Sequence, residues 1–205
     1  MKDLLNEPNK IYFIGSKGAG KSSLVRAILN KEFNENISAS PTQITIAKYE
    51  IENKTFTLKD LTDKNDFKIT KIFLNEIEDV KCLFCLFSLT DKNAFEYAKT
   101  VLGMVSESLR SNTDIIFVLC GTKYDLIEAD PSQRQISEEE INNYISSTLP
   151  GATYFNFSAK TKLNLDKIKG VINEIEIPIQ EEEEDEIEDP KKNNEAAKNK
   201  SCIII

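Results

Sequence analysis

The sequence predicts an α/β domain built on a mostly parallel six-stranded sheet, with one antiparallel edge strand and helices on both faces. Three observations predict it. The runs 11–14, 80–89 and 115–120 are almost wholly apolar, as strands covered on both faces must be. Between and after them lie longer stretches whose apolar residues recur at helical spacing. The segments 43–51 and 54–60 are separated only by Glu52-Asn53, which reads as a hairpin. Strand–helix alternation with short connections gives parallel neighbours joined by right-handed crossovers, and the hairpin supplies the antiparallel edge.

The elements follow in order. Ile11-Tyr12-Phe13-Ile14 is a buried strand, and Leu24, Val25 and Ile28 mark the inner side of a helix beginning near Lys21. Residues 31–42 are polar. In 43–51, Ile44, Ile46, Tyr49 and Ile51 alternate with one slip, while Phe56 and Leu58 share a face of the returning strand. A strand over 80–89 is followed by a helix over 91–109, striped by Phe95, Ala98, Val101, Leu102 and Val105. After the strand at 115–120, Ser137 and three glutamates open another helix, where acidic side chains suit the positive end of the helix dipole. Ile141, Tyr144, Ile145 and Leu149 form its apolar side. A short strand over 153–157 and a helix over 163–175 close a domain spanning 1–177. Residues 178–205 carry nine acidic residues against four lysines, with an acidic block at 181–189. Such a segment buries too little apolar surface to offset its ordering entropy and is expected to be disordered.

Composition narrows the function. The 205 residues are 40% apolar and 29% charged, ordinary for a globular protein. A formal charge of −8 opposes nucleic acid as a partner, because phosphate backbones call for Lys and Arg. No apolar run approaches the length of a bilayer span, and the N-terminus lacks the apolar core of a signal peptide. The chain has no histidine, which removes Ser-His, Cys-His and His-metal chemistry. Cys82, Cys85 and Cys120 sit in strand-like runs. Cys82-x-x-Cys85 would point to opposite faces of a strand, so core packing is expected rather than a metal or redox pair.

Chemistry concentrates at strand ends. Gly15-Ser16-Lys17-Gly18-Ala19-Gly20-Lys21-Ser22 fits G-x-x-x-x-G-K-[ST] without mismatch and falls between a strand and a helix. Glycines let the backbone curl so that its N–H groups, Ser23 included, can face a phosphate at the helix N-terminus. Lys21 reaches the outer phosphates, and the Ser22 hydroxyl can ligate Mg²⁺. Gly121-Thr122-Lys123-Tyr124-Asp125 ends the strand at 115–120, and Ser158-Ala159-Lys160 ends the next. Ligands of open parallel sheets lie at such carboxyl ends. Guanine offers two donors, N1–H and the 2-amino group, and one carboxylate accepts both, so Asp125 suits guanine over adenine. The Lys123 stem can lie along the base, and the Ala159 N–H can meet the guanine O6.

In this order and spacing the motifs resemble a Ras-superfamily small GTPase over about residues 10–176. The resemblance implies a P-loop NTPase fold and a site for GTP and GDP with Mg²⁺. It matches residues 15–22 to the phosphate loop, Thr122-Lys123-Tyr124-Asp125 to [NT]-K-x-D, and Ser158-Ala159-Lys160 to S-A-K. It further implies that Pro41-Thr42 belongs to the first switch segment, with Thr42 joining Ser22 and Asp60 around the metal. Phe33 would flank the base.

The resemblance breaks at the second switch. The family's D-x-x-G-Q is replaced by Asp60-Leu61-Thr62-Asp63-Lys64. Parity with Phe56 and Leu58 favours Asp60 as the aspartate, while a gapless alignment puts Thr62 there. In either register both the glycine and the water-orienting glutamine are missing, and Lys17 stands where relatives carry a small residue. GTP hydrolysis depends mainly on positioning and charge stabilisation, so nucleotide binding with slow intrinsic turnover is expected, and no catalytic residue is assigned. The C-terminal Cys202-Ile203-Ile204-Ile205 fits C-a-a-X, and its bulky last residue favours geranylgeranyl on Cys202.

These features imply a GDP/GTP switch in the cytoplasm, peripheral on cytosolic membrane faces, in signalling or vesicle trafficking. It would meet effectors, exchange factors and activating proteins through the switch segments. The alternative is a GTP-holding scaffold that scarcely cycles. A nucleotide kinase would need an Arg-rich lid, and the chain has only Arg26, Arg110 and Arg134. The Ras, Rho and Rab branches are not separated.

Overall fold

A computed structural model describes residues 9–35, 45–61, 80–108 and 115–177. The strands are β1 (Lys10–Ile14), β2 (Thr45–Ile51), β3 (Lys54–Asp60), β4 (Val80–Ser88), β5 (Ile116–Thr122) and β6 (Thr153–Asn156). They form one sheet in the order β2-β3-β1-β4-β5-β6. β1 runs parallel to β3 and β4, β4 to β5, and β5 to β6. β2 alone is antiparallel and lies at the edge, paired to β3. The apolar runs β1, β4 and β5 therefore hold interior positions, as their lack of alternation requires.

Five helices flank the sheet among the described residues: α1 (Lys21–Ile28), α2 (Lys92–Ser108), α3 (Tyr124–Ala129), α4 (Glu138–Thr148) and α5 (Leu165–Asn173). Successive strand residues point to opposite faces, and two cores result. Ile11, Phe13, Phe56, Leu58 and Phe84 pack under α1 and α5 with Leu24, Ile28, Ile168 and Ile172. Tyr12, Ile14, Leu83, Phe87 and Leu119 pack under α2 and α4 with Phe95, Leu102 and Ile141. Phe13 and Phe84 stack at 5.1 Å between centroids, and Phe87 tilts against Phe95 at 4.7 Å. Each such buried side chain contributes about 1.5–3 kcal/mol. Cys82 and Cys120 join the first core and Cys85 the second; all three are buried free thiols.

The alternation slip in the edge strand has a physical reason. Ala47, Tyr49 and Ile51 pack on the α1/α5 core, while Ile46 is 46% exposed. An edge strand covered on one side leaves its other face to solvent, so Ile46 does not share a face with Tyr49 and Ile51. Ile44 lies outside the described residues. Sequence periodicity also gave no sign of α3, which is only six residues long, or of the 3-10 turn Pro131–Gln133 held by the Asp130 carboxylate accepting from Ser132 N–H at 3.0 Å. α4 is capped by Ser137, whose hydroxyl accepts from Glu140 N–H at 3.0 Å, as an N-cap serine does.

The end of α5 is tied to the hairpin. Lys54 donates its ammonium to the carbonyls of Asn173 at 2.6 Å and Ile175 at 2.9 Å, groups a helix C-terminus leaves without helical partners. No described helix is long and apolar enough to cross a membrane.

Candidate functional site

The phosphate loop is shaped by how closely β1 and β4 lie together. Gly15 has φ +146°, and a Cβ there would run into the Leu86 carbonyl oxygen, so only glycine fits. The chain then turns through Ala19 N–H to Ser16 carbonyl at 3.1 Å and enters α1. The first N–H groups of a helix lack helical acceptors, which makes its start a site for anions. Lys21 is buried there. Its Nζ donates to the Gly15 carbonyl at 2.8 Å and the Ser16 carbonyl at 3.1 Å, fixing a cation inside the loop. Behind it, burial pushes the Cys85 thiol up to about 12, although the Lys21 charge pulls the other way. Ser22 donates its hydroxyl to the Asp60 carboxylate at 2.5 Å. Asp60, the last residue of β3, is 1% exposed, so the carboxylate is desolvated and already hydrogen-bonded.

The second half of the site stands on β5 and β6. The Thr122 hydroxyl donates to the Ala19 carbonyl at 2.8 Å and lies 3.2 Å from that of Phe87. Gly121 leaves room for its neighbours: a Cβ would come within 2.6 Å of the Tyr154 hydroxyl and 2.8 Å of the Leu89 side chain. Lys123 takes a left-handed turn, φ 62°, and Asp125 falls in the first turn of α3. Ser158, fully buried, donates its hydroxyl to Asp125 at 2.7 Å and accepts from Thr161 N–H at 3.2 Å. Two backbone bonds, Phe157 N–H to Gly121 carbonyl at 2.8 Å and Tyr124 N–H to Phe157 carbonyl at 3.2 Å, lock the two loops together.

One cavity of about 360 Å³ joins the halves, within the range of small-molecule sites. From the phosphate loop Lys17, Gly18, Gly20, Lys21, Ser22 and Ser23 line it. Thr122, Lys123, Asp125, Ala159 and Lys160 line the other side, and Phe33 reaches it from the segment after α1. Gly15, Ser16, Ala19 and Ser158 stand behind the lining and support it through the bonds above, and Asp60 meets the lining through Ser22. Thr42, Asp63 and Cys202 lie outside the described residues. Sequence reasoning missed Asn34, Glu35, Leu126 and Phe157, which also line the cavity. Leu126 and Phe157 adjoin Asp125 and Ser158 and could have been found by adjacency; nothing in the sequence marks Asn34 or Glu35.

The comparison that decides the family covers most of the chain: a model of the Ras family matches residues 10–176. The chain belongs to the Ras family. No match is found among the curated proteins. This Ras-family protein is therefore a small GTP-binding protein, and its six-stranded sheet with one antiparallel strand is that of the P-loop NTPase fold. Among its described residues no cluster of three or more His, Cys, Asp or Glu could hold a metal ion alone. A hydroxyl and a buried carboxylate meeting beside the phosphate loop fit Mg²⁺, a hard cation bound through one or two protein oxygens together with ligand phosphates.

Proposed function

We propose that this Ras-family protein is a GDP/GTP switch that works at membrane surfaces and hydrolyses GTP slowly on its own. The observation that carries the reading is the joining, in one cavity, of the Lys21 loop with the Asp125–Ser158 pair. Lys21 and the amides at the start of α1 hold the phosphates. Ser22 and Asp60, with Thr42 from the first switch segment, hold Mg²⁺, which when bound neutralises phosphate charge. Asp125, oriented by Ser158, accepts the two guanine donors, and the Ala159 N–H meets O6. Phe33 and the Lys123 stem cover the faces of the base.

Slow turnover follows from what the chain lacks. In either register of Asp60-Leu61-Thr62-Asp63-Lys64 the family's glycine and water-orienting glutamine are absent, and an Asp63 carboxylate near a triphosphate would be repelled. Cys202 at the C-terminus is the site for a prenyl group. One lipid anchors marginally, and the acidic block opposes anionic headgroups, so attachment is reversible and partner-dependent.

A second reading, a scaffold that holds GTP and scarcely cycles, is favoured by Lys17. This exposed cation lines the cavity in the phosphate loop. Calorimetry with Mg²⁺ tests the site: tight binding of GDP and none of ADP is expected, and equal binding of both would refute it. Single-turnover hydrolysis of bound GTP separates the readings. Measurable decay over hours, sped up by an activating partner, supports the switch; no decay under any condition supports the scaffold.

A further inference from the structure

We infer that Glu35 and Lys160 form a latch across the purine end of the cavity and slow the release of bound guanine nucleotide. The inference rests on the nucleotide reading above. Phe33, Asn34 and Glu35 form one lip of the cavity, and Ala159 and Lys160 form the other. The Lys160 ammonium donates to the Glu35 carboxylate at 3.3 Å, closing a gap of 125 residues in sequence.

The first lip has no regular secondary structure. Up to Glu32 it is held to α1, through Lys31 N–H to the Arg26 carbonyl at 2.9 Å and the Arg26 guanidinium to the Glu32 carbonyl at 3.1 Å. Three residues later the ion pair holds it to the opposite lip. Phe33 lies between the two anchors, 40% exposed yet lining the cavity. A purine seated against Asp125 is therefore covered by a ring whose segment must swing away before the ligand leaves. Swinging it away breaks the pair, so the effect falls on dissociation more than on association. Glu35 and Lys160 side chains are 70% and 56% exposed. Solvent screening limits such a pair to at most about a fivefold change in rate.

The test uses the full chain loaded with a fluorescent GDP analogue, chased with excess GDP in Mg²⁺. Glu35→Gln should release the analogue about two- to fivefold faster than wild type at about 0.01 M salt. Raising salt to about 1 M, where the Debye length falls to about 3 Å, should speed the wild type towards the variant and leave the variant nearly unchanged. Lys160→Glu should release faster still, because two carboxylates then face each other. Combining it with Glu35→Lys should bring release back towards wild type. Equal release by wild type and Glu35→Gln at low salt, or no recovery in the swapped pair, would overturn the latch while leaving the nucleotide site standing. A chain that binds no GDP at all would overturn the nucleotide reading and the latch together.

Discussion

The hydroxyl of Thr122 donates to the carbonyl of Ala19 across 103 residues of sequence, at 2.8 Å. One buried hydroxyl thus ties the strand end that carries Lys123 and Asp125 to the loop that carries Lys21. The two halves of the cavity share a strut that fixes their spacing.

Thr122→Val keeps the shape and removes the hydroxyl. It should destabilise the protein by about 1–2 kcal/mol, lowering Tm by a few degrees (roughly 2–4 °C per kcal/mol for this size). GDP affinity should fall by more than the fold loses, because phosphate loop and base loop are then set independently. Thermal melts with and without GDP check this: the stabilisation that GDP confers should shrink in the variant.

Asp125 accepts from Ser158 and faces the cavity, so its preference can be read one donor at a time. Hypoxanthine lacks the 2-amino group of guanine. The wild type should bind GDP at least about tenfold more tightly than IDP, the scale of a hydrogen bond to a charged acceptor. Asp125→Ala should reduce that ratio to about twofold or less while weakening both ligands. A ratio unchanged by the substitution would show that another group reads the base.

Ser22→Ala removes the hydroxyl that Asp60 accepts from. In the wild type, chelating Mg²⁺ with EDTA should speed GDP release strongly. The variant should already release GDP quickly, and EDTA should change its rate little. Because Asp60 is desolvated, the loss of a partner should also cost about 1–3 kcal/mol of stability in the unliganded protein. Stopped-flow release and urea unfolding measure the two effects separately.

The buried thiols give a pH dependence. Burial pushes Cys82 and Cys120 well above the usual thiol range and Cys85 up to about 12. The unfolded chain deprotonates them near pH 8.5–9 while the folded chain keeps its protons. The unfolded state then binds fewer protons, and stability must fall as pH rises. Stability should be flat in this respect below about pH 8 and decline between about 9 and 12, by about 1.4 kcal/mol per pH unit for each thiol. Cys85→Ala should flatten the slope of unfolding free energy in that window. None of the three should react with a thiol reagent in the folded protein at neutral pH.

Much of this was legible from periodicity and motif. The interior strands β1, β4 and β5 announced themselves because burial on two faces leaves no polar positions. Lys21, Asp125 and Ser158 were found by residue type at fixed spacing. The edge strand was harder: Ile46 is apolar yet faces solvent, and an apolar residue on an edge carries no label saying which face it takes. α3 was missed because six residues hold too few turns to show a period. Glu35 was missed because its partner, Lys160, comes from a loop 125 residues away, and only the closed fold brings them together.

The grip of Lys54 on the carbonyls of Asn173 and Ile175 makes the hairpin and the chain's exit point a single mechanical part. Sliding β3 by two residues, about 6.6 Å along its axis, would tear both bonds and uncap the last helix. A tether pulling on the C-terminus would therefore load the sheet edge directly, and any rearrangement of that edge must either carry the exit point with it or first let go of one lysine.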